Sequence, residues 1–173
     1  MMGSLSRLLA RRRVTLGFVF AVAVIYFASP TRRSLMVGTA IGLIGEAVRI
    51  WAAGHLEKSR EVTSSGPYRF TRHPLYLGSS IMALGIAAAG RSVVVAILVF
   101  LYMASTIAAA IRTEEAFLRE RFGDAYDAYA EDRSPRVERR FSLQRAWRNR
   151  EYRALTGLVV ALFLLVLRAW LAS

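Results

Sequence analysis

The sequence predicts an all-α fold, a polytopic membrane helix bundle of about five transmembrane helices with cytoplasmic interfacial helices before the last one. Three observations carry this. Hydrophobic residues make up 55% of the 173-residue chain, above the share usual for a soluble domain. They gather into five runs, at 14–29, 35–53, 75–89, 92–111 and 154–173. Most of the arginines fall between those runs and sort by side. A chain of this length builds one domain, residues 1–173.

A hydrocarbon core of roughly 30 Å needs about 20 helical residues. The first and third runs are short, so Arg11 to Arg13 and Arg72 would have to snorkel to water. The opening segment, basic and then apolar, looks like a signal peptide, but further membrane runs follow it and it is read as a retained first helix. The second, fourth and fifth runs are long enough to span. Arg7, Arg11, Arg12 and Arg13 precede the first run, and Lys58, Arg60, Arg69 and Arg72 lie between the second and third. The opposite loops hold Arg32, Arg33 and Arg91 only. By the excess of positive charge in cytoplasmic loops, the N-terminus is expected in the cytoplasm and the C-terminus on the opposite side.

The formal charge of +12 is therefore largely topology. No nucleic-acid reading motif accompanies the arginines, and no nucleic-acid partner is expected. Cysteine is absent, which excludes disulfides and thiolate chemistry, and two histidines make a poor metal site, so no metal is expected.

Residues 112–153 form the long cytoplasmic segment. Leu118, Phe122, Ala125, Tyr126 and Tyr129 recur at helical spacing among charges, which predicts an interfacial helix broken at Ser134-Pro135. Residues 136–153 are a basic piece in which Phe141, Leu143 and Trp147 alternate with arginines, suited to lying on anionic membrane lipids or to a solvated linker.

Several polar residues bear on chemistry. Glu46 and Arg49, three apart on the second run, share a helix face and are expected to pair inside the bundle; with Trp51 they are the candidate substrate-binding residues, unless the pair only holds helices together. His55 and Glu57 follow at the helix exit, where a histidine titrating near neutrality could act as a base or simply end the helix. The stretch Gly66-Pro-Tyr-Arg-Phe-Thr-Arg-His-Pro-Leu-Tyr-Leu-Gly78 is too polar for hydrocarbon and belongs at the membrane rim or in an enclosed cavity. Pro74 suits the first position of a helix, whose first-turn amides, beside Tyr68, His73 and Tyr76, would offer donors to a carboxylate and ring surface to a nucleotide-like cofactor. Glu114 and Glu115 follow the fourth run. Two carboxylates at a helix C-terminus oppose the helix dipole, so they are expected to take a cation, either a loop arginine such as Arg112 or a ligand.

Taken in order, Gly66-Pro-Tyr-x-x-x-Arg-His-Pro-x-Tyr-x-Gly78, the two-helix run after it, Glu114-Glu115 and Phe122-Gly-Asp-Ala-Tyr126-x-x-Tyr129 resemble the isoprenylcysteine carboxyl methyltransferase family and its phospholipid methyltransferase relatives, across about residues 43–135. The resemblance implies an all-helical integral membrane enzyme that uses S-adenosylmethionine at a cytoplasm-facing site on a lipid-soluble acceptor. It implies cofactor contacts from Thr63, Tyr68, Arg72, His73, Pro74, Leu75, Tyr76, Gly78, Glu114 and Glu115, with residues 60–63 as a further wall and Glu114 on the methionine amine. His55, Glu57 and Arg112 are the candidate catalytic groups. Where isoprenylcysteine members have an arginine four residues before the first glutamate, this chain has Ala110, and Arg112 is the possible substitute. Two other readings stay open: an NADPH-dependent membrane reductase of the sterol-reductase type, with Arg60, Arg69 and Arg72 on phosphates, and a non-catalytic membrane module.

Overall fold

In the computed structural model, residues 13–58, 60–133 and 138–172 are described, with backbone only for 13–16. Arg7, Arg11 and Arg12 of the basic start, and the expected break at Ser134-Pro135, lie outside the described residues. Among the described residues there are seven α-helices and no strand: α1 (Arg13–Phe27), α2 (Arg32–Ala53), α3 (Pro74–Gly90), α4 (Val93–Phe122), α5 (Asp124–Ala130), α6 (Leu143–Arg148) and α7 (Tyr152–Leu171). A 3₁₀ turn, Gly66–Arg69, precedes α3.

Of the five apolar runs, three form helices long and apolar enough to cross a membrane, α2, α4 and α7. Helix α3 has 17 residues, and the apolar stretch of α1 is Gly17–Phe27. At 1.5 Å per residue, α3 covers roughly 25 Å, short of a full hydrocarbon core. Large apolar side chains such as Phe18, Met36, Phe100, Phe163 and Trp170 point outward, and the buried positions are mostly small. That inversion fits a helical membrane bundle, whose interior is closed by close backbone approach.

Helices α2 and α3 make the closest approach. A Cβ on Gly45 would lie 2.6 Å from Met82 N, and one on Gly85 would lie 2.6 Å from Gly38 O, so neither crossing point admits a side chain. At the far end the chain turns are tied by caps: Thr31 and Ser34 form a capping box for α2, and Ser34 Oγ also donates to Ala89 O at 3.0 Å. Val24, Ala28, Ala89, Val95, Val99 and Leu165 close the bundle there. Helix α1 packs on α4 through Phe20 and Tyr102, stacked with ring centroids 4.4 Å apart.

The expectation for α4 needs correcting. It does not end before Glu114 but continues to Phe122, so Glu114 and Glu115 stand inside a 30-residue helix and the C-terminal dipole argument does not apply to them. The amphipathic stripe of 118–129 is divided between α4 and α5. The break is Gly123, whose φ of 49° and ψ of −126° a side chain would strain.

Candidate functional site

At the end of the bundle where α2 finishes and α3 begins, a cavity of about 1420 Å³ opens between the 56–63 loop, the 3₁₀ turn, α3, α4 and α5, and runs on between α1 and α4. Pro74 stands at the first position of α3, as expected. The first-turn amides are less available than expected, because Tyr76 N and Leu77 N both donate to His73 O, at 3.1 Å each.

Thr63, Tyr68, Arg72, His73, Pro74, Leu75, Tyr76 and Glu114 all line this one cavity. The tie between the His-Pro corner and the acidic pair is direct: His73 Nε2 donates to Glu115 Oε1 at 3.1 Å, and Arg72 and Arg119 reach the same carboxylate at 3.6 and 3.9 Å. Glu115 thus does not line the cavity; it holds His73 and Arg72 in place from behind. Glu114, half-buried on the cavity wall, has no ion-pair partner among the described residues. An unpaired carboxylate facing a partly desolvated space favours a cationic ligand group.

Tyr129, which the sequence places in an interfacial stripe and in a motif but not in the site, donates its hydroxyl to Tyr68 O at 2.9 Å and fastens α5 to the 3₁₀ turn. Burial pushes the Tyr129 phenol up to about 12 and the Tyr68 phenol higher still, with Glu114 adding to the rise at Tyr68. Both are neutral donors at physiological pH, so Tyr68 is no base.

Other expected site residues stand off the cavity. His55 is buried away from the cavity, its Nδ1 3.0 Å from Trp51 O and its ring 6.1 Å from that of Phe141. Gly66, at φ 58°, lies against that ring: a Cβ there would meet His55 Cγ at 2.6 Å. Trp51 is half-exposed between His55 and Phe70, off the cavity. Gly78 belongs to the α2–α3 contact, where a Cβ would come 2.7 Å from Gly45 O. Arg112 is exposed and does not line the cavity.

The Glu46–Arg49 pair does not form. Arg49 reaches the cavity wall and donates from Nε to Glu151 at 2.5 Å, and from Nη1 to Leu75 O at 3.2 Å and to Ser79 Oγ. Glu46 is buried, and neither carboxylate oxygen has a hydrogen-bond partner among the described residues. The partner of Arg49 comes from α7's N-terminus, 102 residues along the chain, which helix spacing could not reveal.

Glu57 lines the cavity, but its carboxylate is engaged. Arg145 Nε donates to it at 2.8 Å and Arg148 Nη2 at 3.0 Å, and the hydrogen bond from Arg145 holds its pKa below the ordinary carboxylate value. Arg145 also donates to Gly54 O, Arg139 pairs with Glu61 at 2.6 Å, and Asn149 Nδ2 donates to Ala53 O and Leu56 O, both at 2.9 Å. The basic segment is therefore a strap that pins the 54–61 rim. The apolar half of the cavity, including Val19, Phe20, Leu98, Leu101 and Tyr102, was invisible in the sequence because each of these reads as an ordinary membrane-helix residue. Ala110 lines the cavity too, one turn before Glu114.

The model of the phospholipid methyltransferase family matches residues 16–125. A nickel-cobalt-cadmium resistance protein, NccN, of Alcaligenes xylosoxydans xylosoxydans is 34% identical over 113 residues, which is 64% of this chain and 51% of that protein. A cobalt-zinc-cadmium resistance protein, CzcN, of Cupriavidus metallidurans is 35% identical over 112 residues, 64% of this chain and 50% of that protein. A protein-S-isoprenylcysteine O-methyltransferase of Schizosaccharomyces pombe is 33% identical over 85 residues, 49% of this chain and 36% of that protein. The chain thus spans about half the length, or less, of these curated relatives. No solved structure matches it.

Proposed function

The chain belongs to the phospholipid methyltransferase family, and on that premise we propose that it transfers a methyl group from S-adenosylmethionine to a lipid-soluble acceptor at the cytoplasmic rim of a membrane. The observation that carries this is the continuity of one cavity from a charged corner to an apolar wall. Its volume, about 1420 Å³, exceeds the roughly 300–1,000 Å³ of an ordinary small-molecule site, as two ligands meeting end to end would require.

The donor fits the charged half. Glu114 offers a lone carboxylate to the methionine ammonium, and Tyr68, His73 and Tyr76 offer ring surface and donors to the nucleoside. S-adenosylmethionine supplies an already activated methyl group, so the chain's task is to align the acceptor and exclude water. The apolar walls of α1 and α4 take the acceptor's tail and set its approach from the bilayer. Arg49, clamped by Glu151, Leu75 and Ser79, presents a fixed cation to an anionic acceptor group. With His55 off the cavity, Tyr68 kept protonated and Glu57 occupied by arginines, an acceptor that arrives with its lone pair already available suits the site best. An isoprenylcysteine carboxylate is within that class, whereas a phospholipid ammonium would have to lose its proton to water before it could attack.

The N-terminus lies on the cytoplasmic side and the C-terminus opposite in this reading, so the cavity mouth opens to cytosolic cofactor. The metal-resistance names of two relatives point to no acceptor, and among the described residues no group of three His, Asp or Glu could hold a metal ion.

Calorimetry on the detergent-purified chain tests the reading: S-adenosylmethionine should bind and NADPH should not. NADPH binding without S-adenosylmethionine binding would establish the reductase alternative instead. Glu114→Gln should weaken S-adenosylmethionine binding by about 1.5–3 kcal/mol, roughly 10- to 150-fold, as expected for a charged pair. Unchanged affinity would remove Glu114 from the site.

A further inference from the structure

Helix α7 keeps two distinct faces along its length. Glu151, Leu158 and Leu165 are buried against the bundle, whereas Tyr152, Leu155, Val159, Phe163 and Val166 recur every three or four residues and are exposed. On a helix long and apolar enough to cross a membrane, that outward stripe faces lipid. Tyr152 is its first member, and the Trp147 ring leans against it with centroids 4.9 Å apart. The outer edge of the basic strap is thereby joined to the lipid-facing stripe at the level where α7 begins.

That edge is apolar and basic together. Leu143 and Trp147 are each 68% exposed, and tryptophan is a residue that gathers where membrane meets water. Arg150 and Arg153 lie beside them, both exposed and neither in an ion pair among the described residues. Arg153 comes two residues after the buried Glu151, a rotation of roughly 200° that turns it to the outer side of α7. Arg150 adopts a left-handed backbone, φ 63°, which glycine or asparagine would take with less strain, so a use for its guanidinium is the simplest account of an arginine there. The acids of the cavity rim are already taken: Arg145 and Arg148 hold Glu57, and Arg139 holds Glu61. The charge of Arg150 and Arg153 is left for something outside the protein.

We propose that the outer edge of the strap is a docking surface for anionic phospholipid headgroups, with Leu143 and Trp147 seated at the boundary between headgroups and acyl chains and Arg150 and Arg153 against the negative charge. Continuity with the lipid-facing stripe of α7 selects a leaflet over a soluble polyanion. One segment then grips the cavity rim with its inner edge and the leaflet with its outer edge, so an anionic leaflet braces the rim. This surface does not depend on what the cavity binds.

The test places the full chain in nanodiscs of phosphatidylcholine mixed with phosphatidylglycerol, with Trp51 and Trp170 replaced by phenylalanine so that fluorescence reports Trp147 alone. Bromine is carried on the acyl chains of one lipid or of the other, the composition staying the same. Brominated phosphatidylglycerol should quench Trp147 at least about twofold more than brominated phosphatidylcholine, as attraction of anionic lipid by nearby arginines requires. The preference should shrink at high salt, which screens that attraction, and vanish in Arg150→Gln/Arg153→Gln. The salt arm keeps both arginines and so does not depend on the folding of the arginine variant. Equal quenching by the two lipids, or a preference that survives high salt or the double variant, overturns the proposal. So does a Trp147 reached by aqueous iodide but by neither brominated lipid, which would show the strap in solvent and open to a soluble anion instead. Hydrogen exchange of the 54–61 amides should be slower in phosphatidylglycerol-containing discs than in phosphatidylcholine alone, and exchange indifferent to lipid charge overturns the bracing of the rim.

Discussion

Replacing Glu151 with alanine should destabilise the bundle by about 3 kcal/mol. Glu151 Oε1 and Arg49 Nε are 2.5 Å apart, with side chains only 7% and 18% exposed, so screening by solvent is weak. Removing one partner of a buried pair typically costs about 3–5 kcal/mol, because the remaining charge is left uncompensated. Arg49 keeps Leu75 O and Ser79 Oγ, which places the expectation at the lower end. For a chain of this size, with about 2–4 °C per kcal/mol, the thermal midpoint in detergent should fall by roughly 6–12 °C. The double variant Arg49→Met with Glu151→Leu should recover most of that loss, since apolar replacements of both partners leave no buried charge. It should still lose methyl transfer to an anionic acceptor if Arg49 meets that group. A fall of less than about 2 °C for Glu151→Ala would refute the view that this contact locks α7 onto α2 and α3 and aims Arg49 into the cavity.

Two further outcomes follow from the rim. Arg145→Ala should weaken S-adenosylmethionine binding several-fold although Arg145 does not line the cavity, because it releases Glu57 and Gly54 O together; calorimetry of that variant against wild type measures it, and undiminished affinity would mean that the strap does not order the rim. Because the Glu57 pKa is depressed in the fold, the stabilisation from its arginine contacts is complete above the ordinary value of 4.5 and is lost as pH falls through the lowered one. Thermal midpoints should therefore drop on acidification below about pH 4.5, and less so in Arg145→Ala. At the cavity wall, Ala110→Arg would add a cation one turn from Glu114; labelled methyl transfer with lipid extracts should shift toward carboxylate acceptors, and an unchanged product profile would show that position 110 does not face the acceptor.

The membrane class, the helical runs, the turn at Gly66-Pro67 and the start of α3 at Pro74 are local properties. Apolar length, arginine placement, and proline and glycine conformations depend on few neighbours and can be read along the chain. So can the polar corner of the cavity, because its residues are contiguous from Thr63 to Tyr76. Helix spacing failed where the partner was distant. It paired Arg49 with Glu46, three residues away, while the fold supplies Glu151 from another helix and leaves Glu46 buried without a hydrogen bond. His55 and Glu57 were candidate catalytic groups as possible bases at the helix exit, and the basic strap from 138–149 meets them with Phe141 and with Arg145 and Arg148.

By itself, then, the sequence determined that this is a helical membrane protein with a polar corner ahead of its third helix and an acidic pair after its fourth apolar run. Only the tertiary structure decided which acid is free and which is structural, brought Tyr126 and Tyr129 under the corner, and joined the corner to an apolar chamber between α1 and α4. The physical reason is that helix propensity and hydropathy act over a few residues, whereas the pairing of a buried charge and the shape of a cavity depend on which surfaces are pressed together across the whole chain.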